Sequence, residues 1–338
     1  MNNILLPNAD AMLPGEPVQW WYWTGHLTAG SRHFGFEACF FACSAESLLT
    51  QGIRNRLERA VGWLGRHERD ALSHLGFQMA DVALTDVTSG RFDAHVLFAH
   101  GMPPVMPGAY ALDLSFPEGR RASASGGGGR DRLHVAGGAW ALDLDLVTSP
   151  DDAPALHYGG GRHAYQFGGY TYYYSRPLQA ARGQLSLGGE TFDVSGTAWF
   201  DRQYGDLNAA VHQGWQWFAI QLHDGRQIML FDITGCATET YGAVMERERY
   251  TRLGPAEFTI EILEWWRSPA SDIEYPARWR AVVGVEHFIV APRVADQELR
   301  EVHPFPVYWE GACMVMRAGG DEVGLAYVEL QGFRPEAP

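Results

Sequence analysis

Apolar and polar positions alternate along most of this chain, the two-residue period of half-buried β-strands. Phe34-Gly35-Phe36-Glu37-Ala38-Cys39-Phe40-Phe41 reads as one strand. Ala139 to Leu146 reads as another, with Ala139, Ala141, Asp143 and Asp145 on one side and Trp140, Leu142, Leu144 and Leu146 on the other. Trp217 to Leu222 and Gln227 to Ile233 flank His223-Asp224-Gly225-Arg226, a hairpin whose Asp-Gly suits a primed turn. Phe258, Ile260 and Ile262 alternate with Thr259 and Glu261, and Val323 to Leu330 forms a late strand. The glycines Gly126 to Gly129 read as a flexible hairpin tip. One segment breaks the rhythm: Leu48, Leu49, Ile53, Leu57, Val61, Leu64, Leu72 and Leu75 recur at helical spacing between charged residues. That spacing predicts one or two amphipathic helices inserted over about 45–75, packed on the outside or end of a barrel, or serving as a lid or dimer contact. Many short strands with turn signals otherwise predict barrels or sandwiches.

Candidate chemistry sits on three aromatic-rich strands. In Trp199-Phe200-Asp201-Arg202-Gln203, alternation puts Trp199 and Asp201 on one face and Phe200 and Arg202 on the other. An acid held against an indole in an apolar interior gains a raised pKa and becomes a proton donor; a structural Asp–Arg bridge is the alternative. In Trp20-Trp21-Tyr22-Trp23, Trp20 and Tyr22 share one face and Trp21 and Trp23 the other. Tyr158 to Pro177 runs Gly-rich into Tyr170-Thr171-Tyr172-Tyr173-Tyr174, where Tyr172 and Tyr174 share a face. Aromatic walls of this kind suit a polyene, a terpenoid or a carbocation, or simply form core.

Composition narrows the classes. With 338 residues, two domains are expected, and 12 Trp, 17 Phe and 14 Tyr can fill large cores. The net charge is −14 and all 26 basic residues are Arg, which argues against a nucleic-acid surface and removes lysine chemistry altogether. No Gly-x-Ser-x-Gly elbow, His-x-His pair or dinucleotide fingerprint occurs, so neither metal nor cofactor is expected. A metal would have to be gathered from residues distant in sequence, such as His157, His163 and His212. Cys39, Cys43, Cys236 and Cys313 lack redox or metal spacing and read as free buried thiols. Positions 1–17 lack the charged and apolar regions of a signal peptide, and no run of eighteen apolar residues occurs, so a cytoplasmic protein without membrane insertion is expected.

Several motifs together resemble the carotenoid hydratase-like superfamily over nearly the whole chain. They are Trp20-Trp21-Tyr22 with Thr24-Gly25, Tyr173-Tyr174-Ser175-Arg176-Pro177, the run Gly196 to Gly205, Gly214-Trp215-Gln216-Trp217-Phe218, and Tyr308-Trp309-Glu310-Gly311-Ala312. The resemblance implies an all-β chain of two tandem lipocalin-like barrels, 1–206 and 207–338, with an apolar site near their junction. That superfamily includes carotenoid and isoflavonoid hydratases, Diels–Alderases that build decalins, and proteins assigned only as hydrolases. In the carotenoid hydratases an Asp matching Asp201 is the proposed alkene acid, while a His and a Trp implicated there fall near Tyr172 and Tyr174. Gln19 replaces a common Glu, and Asp206 a common Ser.

The expected activity is therefore a cofactor-independent hydratase or cyclase acting on an unsaturated apolar metabolite of polyketide or terpenoid type. The expected catalytic residues are Asp201, Tyr172, Tyr174 and Arg202; Trp199, Trp20, Tyr22, Gln203, Trp215 and Trp217 are expected to line the substrate site. In a pericyclic alternative without proton transfer, Arg202, Gln203 or Tyr174 polarises a carbonyl. A non-catalytic carrier is the third reading. The expected partner is a small apolar substrate, and a homo-oligomer is possible but not predicted.

Overall fold

The computed structural model describes residues 4–44, 76–116, 119–233, 239–247, 249–300 and 307–334. The predicted helical insertion over 45–75, Cys236 and the side chain of His212 lie outside them. The described residues form an all-β protein of two antiparallel sheets, each curled towards a barrel. The first sheet contains β1 (Val18–Ala29), β2 (Arg32–Ser44), β3 (Gly76–Asp86), β4 (Arg91–His100), β5 (Tyr110–Ser115) and β6 (Arg120–Gly127). It continues with β7 (Arg130–Gly137), β8 (Trp140–Thr148), β9 (Ala155–Leu156), β10 (Arg162–Ala164), β11 (Tyr170–Leu187) and β12 (Glu190–Asp206). Its order is β4-β3-β2-β1-β12-β11-β8-β7-β6-β5, so the first and last long strands meet in the middle.

The short helix Asn208–Gln213 leads into the second sheet. There β13 (Trp215–Leu222), β14 (Gln227–Ile233), β15 (Tyr241–Glu246), β16 (Arg249–Leu253) and β17 (Phe258–Arg267) precede β18 (Glu274–Val283) and β19 (Glu286–Pro292). The chain then forms β20 (Glu298–Leu299), β21 (Tyr308–Arg317) and β22 (Glu322–Gln331), and β13 pairs with β22. The expected hairpin is present as β13–β14, with Gly225 at φ 92° in its turn. β8 alternates as read, its Trp and Leu positions buried and Asp143 and Asp145 exposed. Cys39, Cys43 and Cys313 are free and buried.

Two cores fill the sheets' concave sides. Trp21, Trp23, Phe40, Tyr110, Tyr174 and Phe200 belong to the first, and Phe218, Trp279 and Trp309 to the second. A segment ahead of β1 is tied into the first core. Asp10 there is fully buried and accepts two hydrogen bonds from Arg176 Nη2, both 2.9 Å, one from Gly128 N at 2.7 Å, and one from the Tyr174 hydroxyl. Arg202 donates to Ala9 O (3.2 Å), Ala11 O (2.8 Å) and Gln19 Oε1 (2.8 Å). The pairing offsets the desolvation cost of the buried Arg176–Asp10 pair, and the Gly126–Gly129 tip is pinned rather than loose. A third core lies between the sheets and includes Tyr22, Tyr173, Trp199, Trp215, Trp217 and Phe231.

Candidate functional site at the barrel junction

The candidate site grows from strand register. Tyr22 on β1 and Ser175 on β11 both stand opposite Asp201 on β12. All three side chains therefore share the face turned towards the second sheet, and Trp199 and Tyr173 join them by alternation. Trp199 Nε1 donates to Asp201 Oδ1 at 2.7 Å, and Ser175 Oγ donates to the same oxygen at 2.5 Å. The Tyr173 hydroxyl donates to Oδ2 at 2.5 Å and accepts from Trp217 Nε1, on β13, at 3.0 Å. A strap between β9 and β11 brings in His157, whose Nε2 lies 2.7 Å from Ser175 Oγ. Its ring packs 4.1 Å from that of Tyr173.

The electrostatics follow from burial. Removed from water, the Asp201 carboxyl is pushed up to about 7, although its three donors pull the other way. Among the described residues no arginine pairs with it. His157, equally buried, drops to about 3 and is neutral at physiological pH. The Tyr22 ring packs edge-on against Trp217 with centroids 5.4 Å apart, and Trp199 does so at 6.0 Å. An acid that is half protonated near neutrality thus faces aromatic rings, an arrangement able to protonate an apolar unsaturated molecule.

Beyond Tyr22 lies a second acidic group. The Tyr22 hydroxyl donates to Glu310 on β21, and the Tyr308 hydroxyl lies 3.1 Å from Glu37 Oε1 and 2.9 Å from Asp81 Oδ2. Burial and mutual repulsion raise Glu37 and Glu310 well above the usual carboxylate range, and burial takes Asp81 and Glu329 to about 7. These carboxyls join β2 and β3 of one sheet to β21 and β22 of the other.

The predicted residues divide between two faces. Asp201, Trp199, Tyr22 and Trp217 meet in one cluster, while Gln203 sits beside Tyr165 on the same face. Trp20 packs edge-on against Phe41 at 5.9 Å, and Trp215 hydrogen-bonds Glu329, both at the margins of the junction. Tyr172, Tyr174 and Arg202 are not brought to Asp201. Tyr174 and Arg202 point into the first core, where they hold Asp10 and its neighbours, and Tyr172 stacks on Tyr204 at 4.9 Å. The division has one cause: β11 and β12 pair with Ser175 opposite Asp201, so the odd-numbered tyrosine, Tyr173, shares its face. Local sequence pattern does not single out Tyr173, Ser175, Glu37, Asp81 or Glu310, and His157 joins the site through its contact with Ser175. A carboxylate in an apolar strand, as in Phe36-Glu37-Ala38, was the available signal for Glu37.

Solved structures share this architecture. A Nitrosomonas europaea protein assigned as AttH superposes with a TM-score of 0.74 at 23% identity, covering 98% of each chain. Kievitone hydratase from Nectria haematococca gives 0.69 at 13% identity, covering 97% of this chain and 93% of its own. CghA gives 0.51 at 9% identity, covering 99% and 97%. No curated protein sequence matches the chain. Identities this low establish shared fold, and the sequence evidence comes from the family model: AttH-like proteins are matched across residues 1–333, and the chain belongs to the AttH-like family.

Proposed function

We propose that this protein is a cofactor-independent hydratase or cyclase for an unsaturated, largely apolar metabolite of polyketide or terpenoid type. In this reading the substrate enters between the two barrels, divided near residue 207, and Asp201 protonates a carbon–carbon double bond. The observation that carries it is a buried carboxyl, poised near neutrality, with three hydrogen-bond donors and aromatic neighbours Trp199, Tyr22 and Trp217. Protonation leaves a carbocation beside those rings, whose faces favour positive charge. Water or an internal hydroxyl then captures it and releases its own proton to solvent, and Asp201 is left as the carboxylate its donors stabilise. A hydratase among the structures of like fold is consistent with this chemistry.

The alternatives draw less support. Of the groups a pericyclic reaction could use to polarise a carbonyl, Arg202 and Tyr174 here hold Asp10 and the backbone around it, and Gln203 is left on the junction face beside Tyr165. A lipocalin-type carrier would use a barrel interior, and the first is occupied by Trp21, Trp23, Phe40, Tyr110 and Phe200. The test is incubation with a panel of polyenes, terpenoid alkenes and prenylated aromatics in heavy-oxygen water. Hydration adds one heavy oxygen, cyclisation leaves the mass unchanged, and Asp201→Asn should lower either by roughly 10²–10⁴-fold. Turnover by Asp201→Asn within a few-fold of the parent would refute the acid role.

A further inference from the structure

An acid that gives up its proton at each turnover must be reprotonated, and Asp201 is buried. Its three donors differ in what lies behind them. Trp199 ends in an indole N–H, which only donates, and Tyr173 leads to Trp217, another indole. Ser175 leads to His157 Nε2 at 2.7 Å, and His157 Nδ1 lies 3.3 Å from the hydroxyl of half-buried Tyr250, which in turn contacts the Tyr241 hydroxyl. Each of these groups can both accept and donate.

We propose that Tyr250, His157 and Ser175 form a proton relay that restores the proton of Asp201 from the open side of the junction. The inference rests on Asp201 being the acid. In the resting carboxylate state, His157 carries hydrogen on Nε2 and donates to Ser175 Oγ, which donates to Asp201 Oδ1. The Tyr250 proton then passes to Nδ1, the Nε2 proton to Ser175 Oγ, and the Ser175 proton to Asp201, while Tyr250 takes a proton from water. The net change is one proton moved from solvent to Asp201; only O–H and N–H bonds form or break. His157 ends with its hydrogen on Nδ1, and rotation of the Ser175 hydroxyl with exchange at Tyr250 resets the chain. Burial keeps the imidazole neutral in both resting states.

Among the described residues, the following groups surround Asp201 and His157. Asp201 faces Tyr22 on β1, Tyr173 and Ser175 on β11, Trp217 on β13 and, electrostatically, Glu329 on β22. His157 faces Ser175, Tyr173, Tyr241 and Tyr250, and Arg252 lies over the Tyr241 ring.

The relay makes a claim that needs no substrate. In the full-length protein labelled at histidine nitrogen and aspartate carbon, nuclear magnetic resonance should show His157 neutral from pH 5 to 8.5. Its hydrogen should sit mainly on Nδ1 below the Asp201 midpoint and mainly on Nε2 above it, the two transitions coinciding. The near-isosteric Asp201→Asn and the Ser175→Ala variants should each abolish that tautomer change. A His157 tautomer that stays fixed while wild-type Asp201 titrates overturns the relay, as does a coupled change that persists in Ser175→Ala. The wild-type reading requires no variant to fold, and the turnover of Asp201→Asn tests the acid role separately.

Discussion

Asp201 has its properties because two influences oppose each other on one carboxyl: burial favours the acid, and Tyr173, Ser175 and Trp199 favour the anion. Removing a donor should therefore shift the balance in a known direction. Activity that depends on the protonated form should hold below about pH 7 and fall above it. In Tyr173→Phe that alkaline limb should move upwards by on the order of one pH unit, because a stabiliser of the carboxylate is gone. A pH–rate profile, or the Asp201 carboxyl resonance in the absence of substrate, checks this; a limb moved downwards contradicts the assigned balance. The Trp199–Asp201 pair was legible in the sequence because both lie on one strand, where parity fixes the face. Tyr173 was not, since parity says nothing of which neighbouring-strand residues share that face until register is known. A shift of one residue between β11 and β12 would have put Tyr172 and Tyr174 there instead.

At the scale of elements, the strap from Ala155 to Tyr170 unites the two sheets. It runs along β11 through β9 and β10, and it reaches across to Glu239, whose carboxylate lies 2.6 Å from His163 Nε2 and accepts from Gln166 N at 2.6 Å. Tyr158 stacks on His163 with centroids 4.4 Å apart, and its backbone N donates to the Tyr241 hydroxyl at 2.8 Å. Glu239→Gln keeps an acceptor but loses the charge, so the strap should open more often. Amide exchange over residues 158–166 should quicken by about tenfold, equivalent to about 1.4 kcal/mol, with exchange in the β12 centre unchanged. Exchange unaltered in the strap would mean that its other contacts hold it. The Gly-rich composition marked this stretch as a connection. Its docking on Glu239 depends on a contact remote in sequence, which local pattern cannot report.

For the molecule as a whole, the junction buries acids that water would ordinarily solvate. Glu37, Asp81, Glu310, Glu329 and Asp201 bind protons more tightly folded than unfolded. Their contribution to stability is fully present below about pH 4, the unfolded carboxyl value, and is lost as pH rises through folded values near or above 7. His26 and His157, lowered to about 4 and about 3, act oppositely: they destabilise as pH falls from about 6.5 through those values. The carboxyls outnumber the imidazoles, so Tm should fall between about pH 5 and pH 8, and Glu310→Gln should flatten that slope. A Tm that climbs across this range would show the junction acids to be ionised and otherwise compensated. The two-barrel architecture was legible from strand rhythm and distributed motifs. The grouping of Glu37, Asp81, Glu310 and Glu329 was not, because they lie on four strands that only the packed pair of sheets brings together.

The strand order also constrains how such a chain can be made. Val18 pairs with Gly205, and Trp215 with Gln331, so each sheet joins its earliest long strand to its latest. While β12 is still within the ribosome, β1 has an unsatisfied edge bearing Trp20, Trp21, Tyr22 and Trp23, the sticky template that folded sheets conceal. Synthesis must run almost to residue 206 before that edge finds its partner, and non-local closure of this kind is slow. Premature termination in this interval would therefore release fragments prone to strand-mediated association, while a stop just after β12 would leave the first sheet with every one of its strands.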